Sequence, residues 1–252
     1  MGSEMCIRDR VGGACGRRII PCKLELGGKG AAVILEDADI PATAEALAGA
    51  ITLNTGQVCC TATRWIVQDS VYDEFVSAVT AELKKVQIGP GLDAESQMGP
   101  LVSAAQKERV ESYYDKGKAE GAQVVLEPGK RSDDGFFVEP YLLSGDADNV
   151  CFKEEIFGPA AYLTRVKDAE AAIAQVNSLA YGLANSVWTQ DPELAKSVAS
   201  RMVAGNSWIN AHNVFAYGLP YGGYGLSGTG GGVNSGSTFY DYLREQTVAR
   251  PL

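Results

Sequence analysis

Short β-branched runs alternate with amphipathic stretches along most of this chain, and that alternation restricts it to a parallel sheet covered by helices. Ala31–Leu35, Ala62–Gln68, Val124–Leu126, Ala160–Val166, Ala184–Thr189 and Asn206–Asn210 read as strands. Between the first two, Asp39 and Pro41 open a helix that runs through Ala50, since Asp caps free N–H groups and proline is tolerated in a first turn. From Val71 to Val86 the apolar residues Tyr72, Phe75, Val76, Val79, Leu83 and Val86 step by three and four, as on a helix with one buried face. Ser103 with Gln106 three positions on is a capping-box pattern, and Gly121 can end that helix in a left-handed turn. Further helices are expected at Asp168–Asn177 and Asp191–Met202, the second stopped by Gly205. The expected fold class is α/β: a three-layer parallel sheet with helices on both faces.

Composition removes several functions. With 22 Lys and Arg against 31 Asp and Glu, the net charge of −9 gives no electrostatic reason to hold a nucleic-acid backbone. No apolar stretch approaches the roughly 18–20 residues that cross a bilayer, and Met1–Arg10 lacks the apolar core of a secretion signal, so no membrane partner and a cytoplasmic location are expected. The six cysteines form no C-x-x-C pair and His212 is the only histidine, which argues against a metal centre. Nine glycines within positions 218–236 mark a loop, and Glu127–Gly135 reads as a surface loop. Residues 1–12 show neither periodicity nor a cap and are set aside as a non-native leader.

Three short motifs can carry chemistry. Asn54-Thr55-Gly56-Gln57-Val58-Cys59-Cys60 is a polar turn between a helix and a strand, where a thiol can meet substrate and backbone N–H groups can face an oxyanion; both cysteines could equally be small core residues. Glu25 stands between Leu24 and Leu26 ahead of Gly27-Gly28-Lys29, and apolar neighbours would raise its carboxyl toward the range of a general base, whereas an edge glutamate facing water is the alternative. Lys153-Glu154-Glu155-Ile156-Phe157-Gly158-Pro159 is a charged turn that could offer a carboxylate to a sugar hydroxyl and a ring to a planar base.

In this order, Leu24–Lys29, Asn54–Cys59 and Glu154–Pro159 resemble the signatures of the aldehyde dehydrogenase superfamily. Tyr181-Gly182-Leu183, Trp208-Ile209-Asn210 and Pro220-Tyr221-Gly222-Gly223 are similar to its later landmarks, so the likeness runs from Gly13 to the end. The resemblance implies that Cys59 is the nucleophile, Glu25 the base, and Glu155 and Phe157 contacts for the nicotinamide ribose and ring of NAD or NADP. Val58, Cys60 and Phe215 would line the pocket for a small-molecule aldehyde. The implied reaction oxidises an aldehyde to an acid through a cysteine thiohemiacetal and thioester. It further implies a remnant of the nucleotide-binding domain at 13–28, a catalytic domain at 29–235, and a C-terminal segment at 236–252 whose strand, Arg244–Pro251, serves homo-oligomerisation.

Little chain precedes Leu24 and no G-x-G-x-x-G phosphate loop is expected, so most of the nucleotide-binding domain is expected to be absent and the isolated chain to be inactive or weakly active. Two rival readings are a thiol hydrolase or acyl transferase in which His212 serves Cys59, and a non-catalytic interaction module.

Overall fold

The computed structural model describes residues 7–129, 135–229 and 232–252. The start of the expected leader, the centre of the Glu127–Gly135 loop, and Gly230 and Gly231 lie outside the described residues. The strands are β1 (Gly30–Ile34), β2 (Ala62–Gln68), β3 (Gln123–Leu126), β4 (Tyr141–Ser144), β5 (Ala160–Val166), β6 (Tyr181–Gly182), β7 (Ala184–Trp188), β8 (Asn206–Ile209) and β9 (Tyr224–Gly225). The α-helices are α1 (Gly13–Arg17), α2 (Ile40–Thr52), α3 (Tyr72–Leu83), α4 (Ala104–Ala119), α5 (Val150–Lys153), α6 (Ala169–Val176), α7 (Pro192–Arg201) and α8 (Gly236–Tyr240).

Seven strands form one sheet in the order β3-β4-β5-β2-β1-β7-β8. β3 runs antiparallel to β4 and every other neighbour is parallel, so the sheet is mixed rather than wholly parallel. Alternate residues of each strand point to opposite faces. Ala31, Val33, Ile66 and Tyr162 join one core with Val110 and Tyr113 of α4, Ile173 and Val176 of α6, and Val198 of α7. Ala32, Ile34, Trp65, Val67 and Leu163 join the other with Leu47 and Ile51 of α2 and Phe75 and Val79 of α3. Three layers result, and Trp65 and Phe75 meet edge to face at 5.6 Å.

The helix starts follow from their caps. Asp39 accepts from the Ala42 amide, Asp168 from Ala171, and Asp191 from Glu193 and Leu194. Ser103 caps α4 by accepting from the Gln106 amide, but the Gln106 side chain does not complete the box. It donates instead to the carbonyls of Ile156 and Phe157, at 3.2 and 2.8 Å.

Three regions differ from the sequence reading. β4 is wholly buried, so it carries no alternation to betray it. Arg8–Gly12 forms a π-helical turn leading into α1, although neither segment buries a residue. Arg244–Pro251 takes no regular secondary structure within this chain.

Candidate active site

β5, β2 and β1 are adjacent and parallel, so the segments that enter them emerge along one edge of the sheet. Those segments are Glu154–Pro159, Asn54–Thr61 and Leu24–Lys29, the three motifs singled out by sequence. They pack backbone against backbone. Gly28 lies against the Cys59 carbonyl, where an added Cβ would come within 2.5 Å of that oxygen. Gly56 has φ +70° and abuts Gly158 so closely that a side chain would strike its carbonyl. The Gly28 amide donates to Oε1 of Glu155 at 3.0 Å, and the Arg64 Nε donates to the Lys29 carbonyl at 2.8 Å. Gln106 and Arg109 of α4 bind the carbonyls of Glu155, Ile156 and Phe157 and fix the third segment.

The Asn54–Cys60 loop is unusual in its backbone. Asn54, Thr55 and Gly56 all have positive φ, at 49°, 58° and 70°. Only glycine adopts that region freely, so reciprocal bonds between Asn54 and Gln57 and a bond from Thr55 Oγ1 to the Gly99 carbonyl hold the turn. Phe157, also at positive φ (62°), is half-buried in the facing turn.

Cys59 is half-buried, with Sγ 3.8 Å from the Tyr221 hydroxyl. The Cys60 thiol first, and then Tyr221, hold the Cys59 thiol below its ordinary range, while burial and the Glu25 carboxylate push it up. Cys60, by contrast, is 1% exposed and its Sγ contacts Asn213 Oδ1 at 3.2 Å, so it backs the site instead of lining it. Val58 and Trp208 are partly buried against Cys60, Leu183 and Tyr221. Phe215, half exposed, sets its ring edge to Tyr221 at 5.2 Å and to Trp208 at 6.0 Å.

Glu25 reaches the same place from the other side. Its Oε1 accepts from the Gly223 amide at 3.2 Å, two residues beyond Tyr221. Partial burial raises its carboxyl above the ordinary range, with the Gly223 amide and Lys23 opposing, and the side chain stays open to solvent. The Tyr221–Gly223 stretch thus brings acid and thiol together.

Three residues were not anticipated in these positions. Tyr221 supplies a hydroxyl to the thiol. Lys29 is 1% exposed, and its Nζ has no hydrogen-bond partner among the described residues; burial lowers it to about 7. His212 does not face Cys59: Nε2 lies 2.9 Å from the Cys60 carbonyl and Nδ1 3.0 Å from Ser186 Oγ. A carbonyl only accepts, so Nε2 carries the proton and Nδ1 accepts from Ser186. The imidazole therefore braces the Cys59–Cys60 loop and has no nitrogen left to act as a base toward the sulfur.

Contrary to the expectation from sequence, Gly223-Tyr224-Gly225-Leu226-Ser227-Gly228 does match the spacing of a dinucleotide loop. Tyr224–Gly225, however, only pairs with Tyr181–Gly182 in a two-residue ladder and does not lead from a strand into a helix, so the stretch is no phosphate cradle.

The aldehyde dehydrogenase family profile matches residues 2–248. An aldehyde dehydrogenase, mitochondrial, from Leishmania tarentolae is 41% identical over 209 residues, covering 82% of this chain and 42% of that protein. A point mutant of apo betaine aldehyde dehydrogenase from Staphylococcus aureus superposes with a TM-score of 0.91 at 33% identity, over 96% of this chain and 49% of that one. The Staphylococcus aureus betaine aldehyde dehydrogenase in complex with NAD+ gives 0.89 at 33% identity, over 93% and 48%. The chain spans less than half the length of each of these relatives.

Proposed function

The chain belongs to the aldehyde dehydrogenase family, and on that premise we propose that its residues carry the thiol chemistry of an NAD(P)-dependent oxidation of an aldehyde to a carboxylic acid. The observation that supports this most directly is the convergence of Cys59 and Glu25 on the Tyr221–Gly223 stretch.

Cys59, deprotonated, adds through Sγ to the aldehyde carbon and forms a thiohemiacetal, whose oxyanion the Cys59 backbone amide can meet. NAD(P), when bound, supplies the hydride acceptor that converts this adduct to a thioester. The residues here fit the nicotinamide end of such a cofactor: Glu155 offers carboxylate oxygens to ribose hydroxyls, and half-buried Phe157 offers a ring face beside it. Glu25, with its carboxyl raised, takes a proton from water as the water attacks the thioester; Cys59 leaves as thiolate and the acid departs.

Among the domain boundaries, 29–235 as the catalytic unit and 13–28 as part of a nucleotide-binding unit fit this reading, as does pairing of the C-terminal segment with another copy. The acyl half of the reaction tests it without cofactor. Incubated with p-nitrophenyl acetate, the chain should release nitrophenolate and carry an acetyl group on Cys59, and the adduct should persist in Glu25→Gln. An adduct confined to Cys60, or none at all, would overturn the assignment.

A further inference from the structure

The polarity of the fold works against a thiolate at this edge of the sheet. α2 ends at Thr52 and runs directly into the Asn54–Gly56 turn, so the helix end nearest the loop along the chain carries the partial negative charge of unsatisfied carbonyls. Cysteines activated by a helix need the opposite end. Partial burial and the Glu25 carboxylate also oppose ionisation. Besides the Cys59 backbone amide, donors must come from side chains, and two titratable groups besides Glu25 face the sulfur: the Cys60 thiol from the same loop and the Tyr221 hydroxyl from the segment packed over it.

Cys60 has a single S–H proton, and its sulfur lies 3.2 Å from Asn213 Oδ1, an acceptor. Cys60 is the larger influence holding the Cys59 thiol down, but while its proton is given to Asn213 it is not available to Cys59. Tyr221 lies against both sulfurs, that of Cys60 as well as that of Cys59. Its ring is 8% exposed, edged by Phe215, and its backbone is fixed by paired bonds with Val233, so the hydroxyl is held where it is. That hydroxyl contacts Cys59 Sγ, and burial beside two sulfurs pushes its own ionisation well up, above that of Cys59. A phenol that keeps its proton is a donor at every pH where the thiolate exists.

We propose that the Tyr221 hydroxyl is the hydrogen-bond donor that stabilises the Cys59 thiolate and so sets the pH at which this thiol becomes a nucleophile. It rests on the reading of Cys59 as the nucleophile. On ionisation the thiol proton goes to solvent, Tyr221 keeps its own, and the O–H turns to the sulfur, shortening a contact that is long in the resting thiol.

The test is the rate of Cys59 alkylation by iodoacetamide across pH, read by peptide mass spectrometry on the full chain. Tyr221→Phe should move the midpoint up by about one pH unit, the size expected for a lost bond to a charged group. The plateau rate at high pH should stay within about twofold, because a fully formed thiolate no longer depends on the donor for its existence. An unchanged midpoint, or an equal loss at every pH as a packing defect would give, overturns the proposal. Cys60→Ala should move the midpoint less than Tyr221→Phe; a larger move assigns the donor to Cys60 and overturns it also. Replacing tyrosine by 3-fluorotyrosine, a stronger donor, should lower the midpoint in the otherwise unaltered chain, and failure to do so counts against it even if Tyr221→Phe folds poorly. No alkylation of Cys59 at any pH would instead defeat the proposed function, and this inference with it.

Discussion

The amide of Gly28 donates to a carboxylate oxygen of Glu155 at 3.0 Å, across 127 positions of the chain. This bond joins the segment that carries Glu25 to the turn that carries Phe157. Glu155→Ala leaves the Gly28 N–H without this partner and should lower unfolding free energy by about 1–3 kcal/mol, with Glu155→Gln recovering part of it. Urea denaturation measures both; equal stability of all three proteins would show that the bond contributes nothing.

Gly28 also leaves no room for a side chain. A Cβ there would lie 2.5 Å from the Cys59 carbonyl and 3.2 Å from Leu183 Cβ, and backbone cannot swing aside as a flexible side chain can. Gly28→Ala should cost about 1–3 kcal/mol through overpacking and slow Cys59 alkylation by displacing its loop. Unaltered labelling kinetics would mean that the two segments are not coupled.

Lys29 makes stability depend on pH. Burial lowers its folded value to about 7 from 10.5, so below about 7 the buried ammonium is a full cost, relieved as pH rises toward the unfolded value. Lys29→Met should therefore raise the thermal midpoint most below pH 7 and progressively less on going toward pH 10. A gain that is the same at every pH would contradict a buried charge.

His212 acts in the acid range. Burial holds its folded value at about 4, below the ordinary 6.5, so stability drops as pH falls from 6.5 toward 4 because the unfolded chain binds the proton first. His212→Gln should flatten that part of the profile in urea titrations. Cys59 should still alkylate in His212→Ala, since no imidazole nitrogen faces the sulfur; complete loss of labelling would restore the hydrolase reading.

Features written in neighbouring residues were legible in the sequence. The Asp39, Asp168 and Asp191 caps stand next to the helices they start, and the apolar spacing of Tyr72, Phe75, Val79 and Leu83 marks the buried face of α3. β4 was missed because a strand buried on both faces has no polar alternation. Gln106 looked like half of a capping box because its distant partners, Ile156 and Phe157, leave no local trace. Cys59 and Glu25 could be proposed because their motifs are short and ordered along the chain. The contact of Cys59 with Tyr221 spans 162 positions, and the brace from His212 to Cys60 spans 152, so only folding reveals them.

Glu25 finds its partner at Gly223, 198 positions later. A ribosome making this polypeptide would release the acid before the thiol, and the stretch that unites them only after most of the sheet has been synthesised. Until then the emerging cysteine has neither its phenol nor its companion carboxylate in place. On the proposed reading, the reactivity of this thiol would arrive only together with completed tertiary structure.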